Sequence, residues 1–240
     1  MNTPTKSYHH GNLRDALIVA AAEIIEQQGS LEFSITDAAR RAGVSAAAPY
    51  RHFKDKEDLL HNVRDLAFMG LRTALVETAE CSGHPSNSQD KIIAIGQTYL
   101  RFAREKSAFF GLMWEDRGNM AEIRDSIEHK MSGFYILVGV VRGYCSTLPE
   151  YGDDQESQEA MALAIATQLW ALAHGIATLE LNHMLDLFDR DAAAEQLLAT
   201  STRALLNGLH VSTARPEKQQ RPVKREASSS SGLSQQELPL

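Results

Sequence analysis

Tyr50, His52 and Lys56 follow a run of three alanines, Ala46 to Ala48, inside the stretch SITDAARRAGVSAAAPYRHFKDKEDLL. The three polar side chains carry N–H or O–H donors that suit phosphate oxygens, and such contacts position a protein without reading sequence. The alanines have the opposite character. Bulky side chains there would hold a helix axis away from any rigid surface, whereas methyl groups let it lie flush. Alanine also reads sequence weakly, by apolar contact with a thymine methyl. A smooth face with a polar end is chemistry for docking into a nucleic-acid groove.

The elements that must carry these residues are two short helices. Ser34 with Asp37 three residues later has capping-box spacing, which predicts a helix with Ile35, Ala38, Ala39 and Ala42 on one side and Arg40 and Arg41 on the other. Gly43 supplies a left-handed residue to end it, Val44 an apolar plug, and Ser45 an N-cap for a second helix. Small Ala39 allows close approach of the two. Helix, glycine-containing turn, helix is the helix-turn-helix pattern, whose second helix enters the major groove. In this reading Ala46, Ala47 and Ala48 form the first turn of the second helix. Pro49 becomes its fourth residue, forfeiting a hydrogen bond.

Covalent chemistry finds little support. Glu115 and Asp116 are neighbours and diverge on a helix, a poor acid–base pair. The nine histidines form no H-x-x-x-H pair, and Cys81 and Cys145 offer neither metal-ligand spacing nor a disulfide framework. No nucleophile motif or phosphate-cradling glycine loop occurs. The expectation is a protein with no catalytic residues, no metal site and no cofactor. Two alternatives stay open: a nonspecific DNA-binding or protein-interaction module, and a small all-α enzyme.

Around the motif the chain reads as helical. Leu13, Leu17, Ala20, Ala21, Ile24 and Ile25 sit at helical spacing, with Asn12 as cap and Gly29 as terminator. A longer helix is predicted from Lys56, capped by Asp55, with Leu59, Leu60, Val63, Leu66, Ala67, Leu71, Ala74 and Leu75 on one face. A loop over 81–89 follows, then helices near 89–106, 107–117, 120–147, 156–183 and 192–209. The helix over 156–183 carries the stripe Met161, Ile165, Leu169, Leu172, Ile176 and Leu179, which points to a partner helix from a second copy of the chain. The Pro/Ser-rich tail over 212–240 is expected to be disordered.

The 240 residues are 43% hydrophobic and 23% charged, ordinary for a globular chain. The N-terminus has no apolar signal core, and the densest apolar run, Phe134 to Val141, is far below the roughly 20 residues a span needs. A cytoplasmic protein without a membrane partner is expected. Net charge is −1 over 1–65, −8 over 66–210 and +2 over 211–240, giving the total of −7. The acid lies in the middle, so the N-terminal segment can approach DNA.

A second group of candidates lies in the acidic part. Residues 99–135 hold Tyr99, Phe102, Phe109, Phe110, Met113, Trp114, Phe134 and Tyr135, and Trp170 and His174 share a helix face at i and i+4. Phe110, Met113, Trp114, Tyr135, Trp170 and His174 are the candidate lining of a mostly apolar pocket for a neutral or cationic small molecule. Core packing, and a structural Trp–His contact, account for the same residues equally simply.

The stretch FSITDAARRAGVSAAAPYRHFKDKEDLL resembles the DNA-binding head of the TetR family of bacterial transcriptional regulators. Ser34, Ala39, Ala42, Gly43, Val44, Ser45, Tyr50, Phe53, Lys56, Glu57 and Leu60 carry the likeness. YHHGNLRDAL from Tyr8 and the W-x-x-x-H-G signature from Trp170 to Gly175 resemble one subgroup. Pro49 departs from the pattern, in which an aliphatic residue is common. The resemblance implies an all-α protein: a three-helix head over 1–65, with its motif at 34–53, and a helical effector-binding and dimerisation body over 66–211. It also implies that Ser34 and Thr36, with Tyr50, His52 and Lys56, contact phosphates, while Ser45, Ala46 and Ala47 face bases. The implied partners are a palindromic operator, a second subunit and an effector that releases the DNA. The last two long helices would form a four-helix bundle with the second subunit.

Overall fold

The computed structural model describes residues 13–114, 127–148, 154–187 and 193–208, with 127–130 in backbone alone. The expected Asn12 cap, the motif residues before Leu13, the pair Glu115 and Asp116, and the tail over 212–240 lie outside the described residues.

Leu17, Ile18, Ala21, Ile24 and Ile25 line the buried side of α1 (Leu13–Gln28). The helix ends where Gly29 adopts φ 64°. α2 (Ile35–Arg41) starts with both halves of a capping box. The Asp37 N–H donates to Ser34 Oγ at 3.2 Å, and the Ser34 N–H donates to Asp37 Oδ2 at 2.8 Å. Two otherwise orphaned donors are thereby satisfied. The serine holds the Asp37 carboxyl below the usual carboxylate range, and Arg40 adds to the effect. Gly43, at φ 72°, turns the chain, and Val44 N–H returns to Ala39 O at 3.0 Å.

The second motif helix differs from expectation. Ser45 caps no α-helix; its carbonyl accepts the Ala48 N–H at 2.9 Å in a tight turn. Pro49–Arg51 then forms a 3-10 turn with Pro49 at its start and Ala48 as an N-cap without a side-chain bond. The reason is the missing N–H of proline. An α-helix from Ser45 would need a bond from residue 49 to Ser45 O, which proline cannot make, whereas a helical start needs no such donor. Pro49 and Phe53 are fully buried and hold the segment onto the head.

α3 (Lys56–Cys81) is capped by Asp55, which accepts the Asp58 N–H. Its first part buries Leu59, Leu60 and Val63 in the core of the head, and its second part buries Ala67, Phe68, Leu71 and Leu75 in the core of the body. The buried side shifts between the two cores, so Leu66, expected inside, is exposed and Phe68 is buried instead. The expected boundary at residue 65 thus falls inside a continuous helix.

The body adds α4 (Gln89–Glu105), α5 (Ser107–Trp114), α6 (Ile127–Cys145), α7 (Gln155–Leu181) and α8 (Ala194–Gly208). No strand occurs among the described residues. α4, α6 and α8 all pack against α7. That packing overturns part of the expected partner stripe. Ile165, Leu169 and Ile176 are buried in the chain's own core, Met161 and Leu172 pack against that core, and of the six only Leu179 is exposed. α7 is also long and apolar enough to cross a membrane by length and composition, a test that core helices pass as well.

α5 belongs to both halves. Leu112 is buried in the head core, with Ala108 packed against it, while Phe110 and Met113 are buried in the body core. Phe109 packs against both. Arg64, 8% exposed, donates from Nε to Leu112 O at 2.8 Å. Lys106, just before α5, pairs with Glu26 of α1.

Candidate functional site

The head presents Ser45, Ala46, Ala47, Tyr50 and His52 to solvent. Tyr50 is 57% exposed although Pro49 before it is buried, so the 3-10 turn points the phenol outward while anchoring the backbone. Ser34 is exposed and Thr36 half-buried, with their hydroxyl oxygens 2.8 Å apart and Ser34 Oγ 2.5 Å from Asp37 Oδ2. Both hydroxyls lie at the N-terminus of α2, where the Asp37 carboxylate already meets the helix's preference for negative charge.

Lys56 sits differently from the other candidates. Its ammonium donates to Leu31 O at 2.6 Å and lies 4.7 Å from the centre of the Phe33 ring. It clamps the α1–α2 connection to α3, and nothing in its spacing along the chain could have shown that. Arg51 and Lys54, not among the expected contacts, are exposed on either side of His52 and add positive charge to the same edge. Their place beside Tyr50 in the sequence was the available signal.

In the body, Phe110, Trp114, Trp170 and His174 come together. Trp170 and His174 stack, with centroids 5.7 Å apart and planes 28° apart. Trp114 meets His174 edge-on at 5.0 Å and tilts against Trp170 at 5.7 Å. Tyr99, absent from the six candidates, is the polar centre: its hydroxyl is 2.9 Å from His174 Nδ1. Burial raises the Tyr99 pKa, against a smaller opposing effect of Trp170 and Trp114 beside its oxygen. Burial lowers that of His174, favouring its neutral form. A neutral imidazole can accept the tyrosine proton at Nδ1. Phe68, also unforeseen, packs edge-on against Trp114 at 5.6 Å.

Two candidates fall away from this cluster. Tyr135 is 60% exposed, because α6 turns Leu137, Val138 and Val141 inward and leaves it on the solvent side. Met113 is buried in the body core and lines neither of the two cavities below.

The first cavity lies inside the body, among Phe68, Ile95, Tyr99, Trp114, Phe134, Leu169 and Trp170, and its volume is about 50 Å³. That is room for a few waters at most, against the roughly 300–1,000 Å³ of a ligand pocket. Every described residue lining it is uncharged. The second is an open groove of about 600 Å³ between head and body, lined by Gly29 to Leu31, by α5 from Ser107 to Leu112, and by Trp114, His174 and Thr178. Among the described residues Trp114 is the one common to both linings.

Comparisons with known proteins find matches in both parts of the chain. Residues 17–63 match the family described as bacterial regulatory proteins, tetR family, and residues 92–201 match the tetracyclin repressor-like C-terminal domain. The chain is 29% identical over 111 residues to the HTH-type transcriptional regulator BetI of Rhizobium meliloti (strain 1021), covering 46% of this chain and 55% of that protein. Against BetI of Agrobacterium fabrum it is 39% identical over 96 residues, 40% of this chain and 46% of the relative. The chain thus spans about half the length of the curated relatives it matches.

A solved structure of a protein of unknown function from Rhodococcus sp. RHA1 superposes with TM-score 0.66 at 27% identity, covering 85% of this chain and 98% of that one. A TetR/AcrR-family transcriptional regulator from Thermobifida fusca YX-ER1 shares the fold, with TM-score 0.54 at 20% identity, covering 82% and 97%. The two family matches together cover more than half of the 240 residues, one over the head and the other over the cavity-bearing body. This chain belongs to the TetR family of bacterial transcriptional regulators.

Proposed function

We propose that the chain is a ligand-responsive repressor that binds a palindromic operator as a homodimer. The observation that carries this reading is the head: a capping-boxed α2, the Gly43 turn, and an exposed Ser45–Ala47 face flanked by Tyr50, Arg51 and His52. Ser45, Ala46 and Ala47 face the bases in this reading. Ser34, Thr36, Tyr50 and His52, joined by Arg51, hold phosphates, and Lys56 supports them from within. The head corresponds to residues 1–65 and the effector-binding and dimerisation body to 66–211. Selection from a pool of random duplexes should return a two-fold sequence with half-sites one helical turn or a multiple apart. Recovery of no common sequence would refute sequence-specific regulation and favour a nonspecific DNA-binding module.

The dimer rests on a different face from the expected stripe. Leu163, Ala164, Thr167, Gln168, Ala171, Gly175 and Leu179 form an exposed, uncharged side of α7, and Leu197, Thr200 and Ala204 are exposed on α8. Small side chains permit close helix approach across a two-fold axis. Such a face also favours burial between subunits over membrane insertion as the reason for the apolarity of α7. A cytoplasmic location follows from binding DNA.

The effector acts in the body, beside Phe110, Trp114, Trp170 and His174. α5 is the proposed link to the head: it carries Trp114 at one end, Leu112 in the head core, and the carbonyl held by Arg64. A ligand that shifts Trp114 therefore pulls on a helix that the head grips. The subgroup marked by the W-x-x-x-H-G signature remains our assignment, and Trp170 stacked on His174 supports it.

A further inference from the structure

We propose that the inner cavity and the head–body groove are two halves of one binding site, divided by the Trp114 indole, and that this site takes a neutral, elongated, mostly apolar molecule bearing one hydrogen-bond acceptor oxygen. The inference rests on the reading of the body as an effector domain.

Volume supplies the first argument. The inner cavity, at about 50 Å³, is too small for an organic ligand, while the adjoining groove holds about 600 Å³. Among the described residues Trp114 alone lines both, so it is the side chain whose displacement we take to open one onto the other. The indole is held by ring contacts to Phe68, Phe110, Trp170 and His174.

Charge supplies the second. Among the described residues the inner lining contains no acidic or basic side chain, and its imidazole neighbour His174 is held towards its neutral form by burial. An anion or a cation placed there would lose its hydration without a counter-charge. Polarity supplies the third. Trp114 Nε1 is buried and makes no hydrogen bond of normal geometry; the Tyr99 oxygen it lies beside, close enough to lower the Tyr99 pKa, is already engaged with His174. An indole N–H only donates, so its missing partner must be an acceptor. A ketone, ester or ether oxygen on an otherwise apolar ligand meets all three conditions.

The full chain can test this without DNA, because its two tryptophans, Trp114 and Trp170, both line the cavity and together make the whole indole signal. Titrations with 2-decanone, decane, decanoate and decyltrimethylammonium would be followed by tryptophan emission. The ketone should bind about tenfold more tightly than the alkane, the usual scale of one hydrogen bond, and the two ions should bind more weakly than either. Trp114→Phe keeps a ring but removes the donor, and should reduce the ketone-to-alkane ratio to about one, with Trp170 still reporting. Gly111→Leu fills the groove, where a Cβ meets nothing within 4 Å, and should slow ketone association in stopped flow.

Preferred binding of decanoate or of the ammonium would overturn the neutral class. A ketone preference that survives in Trp114→Phe would overturn the role of the indole. Unchanged association in Gly111→Leu would overturn the shared site. None of these outcomes bears on DNA binding, so failure here is distinct from failure of the repressor reading.

Discussion

The head and the body solve opposite problems with the same helices. The head buries Pro49 and Phe53 so that Ser45, Ala46, Ala47 and Tyr50 can stand in solvent as a fixed outer surface. The body turns its distinctive side chains inward, around a cavity of about 50 Å³, and leaves a larger groove beside it. A surface that reads a rigid partner needs pre-set geometry. A site that must signal needs room to change, and in the proposed site that room lies behind the Trp114 indole. α5, packed in both cores, is where the two requirements meet.

The sharpest way to separate the regions is to break one and watch the other. Ala47→Glu places bulk and negative charge on the reading face in both subunits. At about 1–3 kcal/mol per disrupted site, operator affinity should fall at least about 30-fold in fluorescence anisotropy at fixed salt, with helix content and assembly unchanged. Undiminished affinity would remove Ala47 from the groove. On the body side, Ala171→Glu adds a charge to the uncharged outer face of α7. Sedimentation should then change from about twice 26.5 kDa to about 26.5 kDa, and a dimer that persists would place the interface elsewhere.

Arg64→Met tests the seam. It removes the donor to Leu112 O while keeping an apolar stem, and leaving that buried carbonyl unpaired should cost about 1–3 kcal/mol in thermal or denaturant unfolding. No loss of stability would mean that the head does not grip α5 through this bond.

A smaller effect concerns His174. Its folded pKa lies below the ordinary 6.5 because of burial. The unfolded chain therefore binds the proton more readily, and this contribution to stability falls as pH drops through 6.5 towards the folded value. His174→Gln should flatten stability in that window. The smallest effect is expected for Tyr50→Ala, which should weaken binding to selected and scrambled DNA by a similar few-fold factor, since a phosphate contact carries no sequence code.

The head was largely legible because its instructions are local. Ser34 and Asp37 are three residues apart, and Gly43 announces its own backbone angle. The second motif helix departs from its sequence pattern because a serine followed by three alanines looks like a helix start, and the missing proline donor decides against it. The clamp that Lys56 makes was not legible because its acceptor, Leu31 O, lies 25 residues away. In the body, composition found the right helices but not which rings meet. Which side of α6 faces inward, and hence the exposure of Tyr135, depends on how that helix packs against α3 and α7. Tyr99 and Phe68 sit among ordinary apolar spacing, and only the crossing of α3, α4, α5 and α7 makes them part of the site.

The most direct test of the linkage between head and body is a single titration of the full chain with its selected operator. DNA anisotropy and tryptophan emission would be recorded together. Both tryptophans lie in the body and none in the head, so emission reports the cavity while anisotropy reports the reading face. Linkage requires that DNA binding bias the state of the effector site as the effector biases DNA binding. The account predicts that both signals saturate with one midpoint, and that Arg64→Met reduces the emission change. Saturating anisotropy with flat emission in the unaltered chain would contradict it.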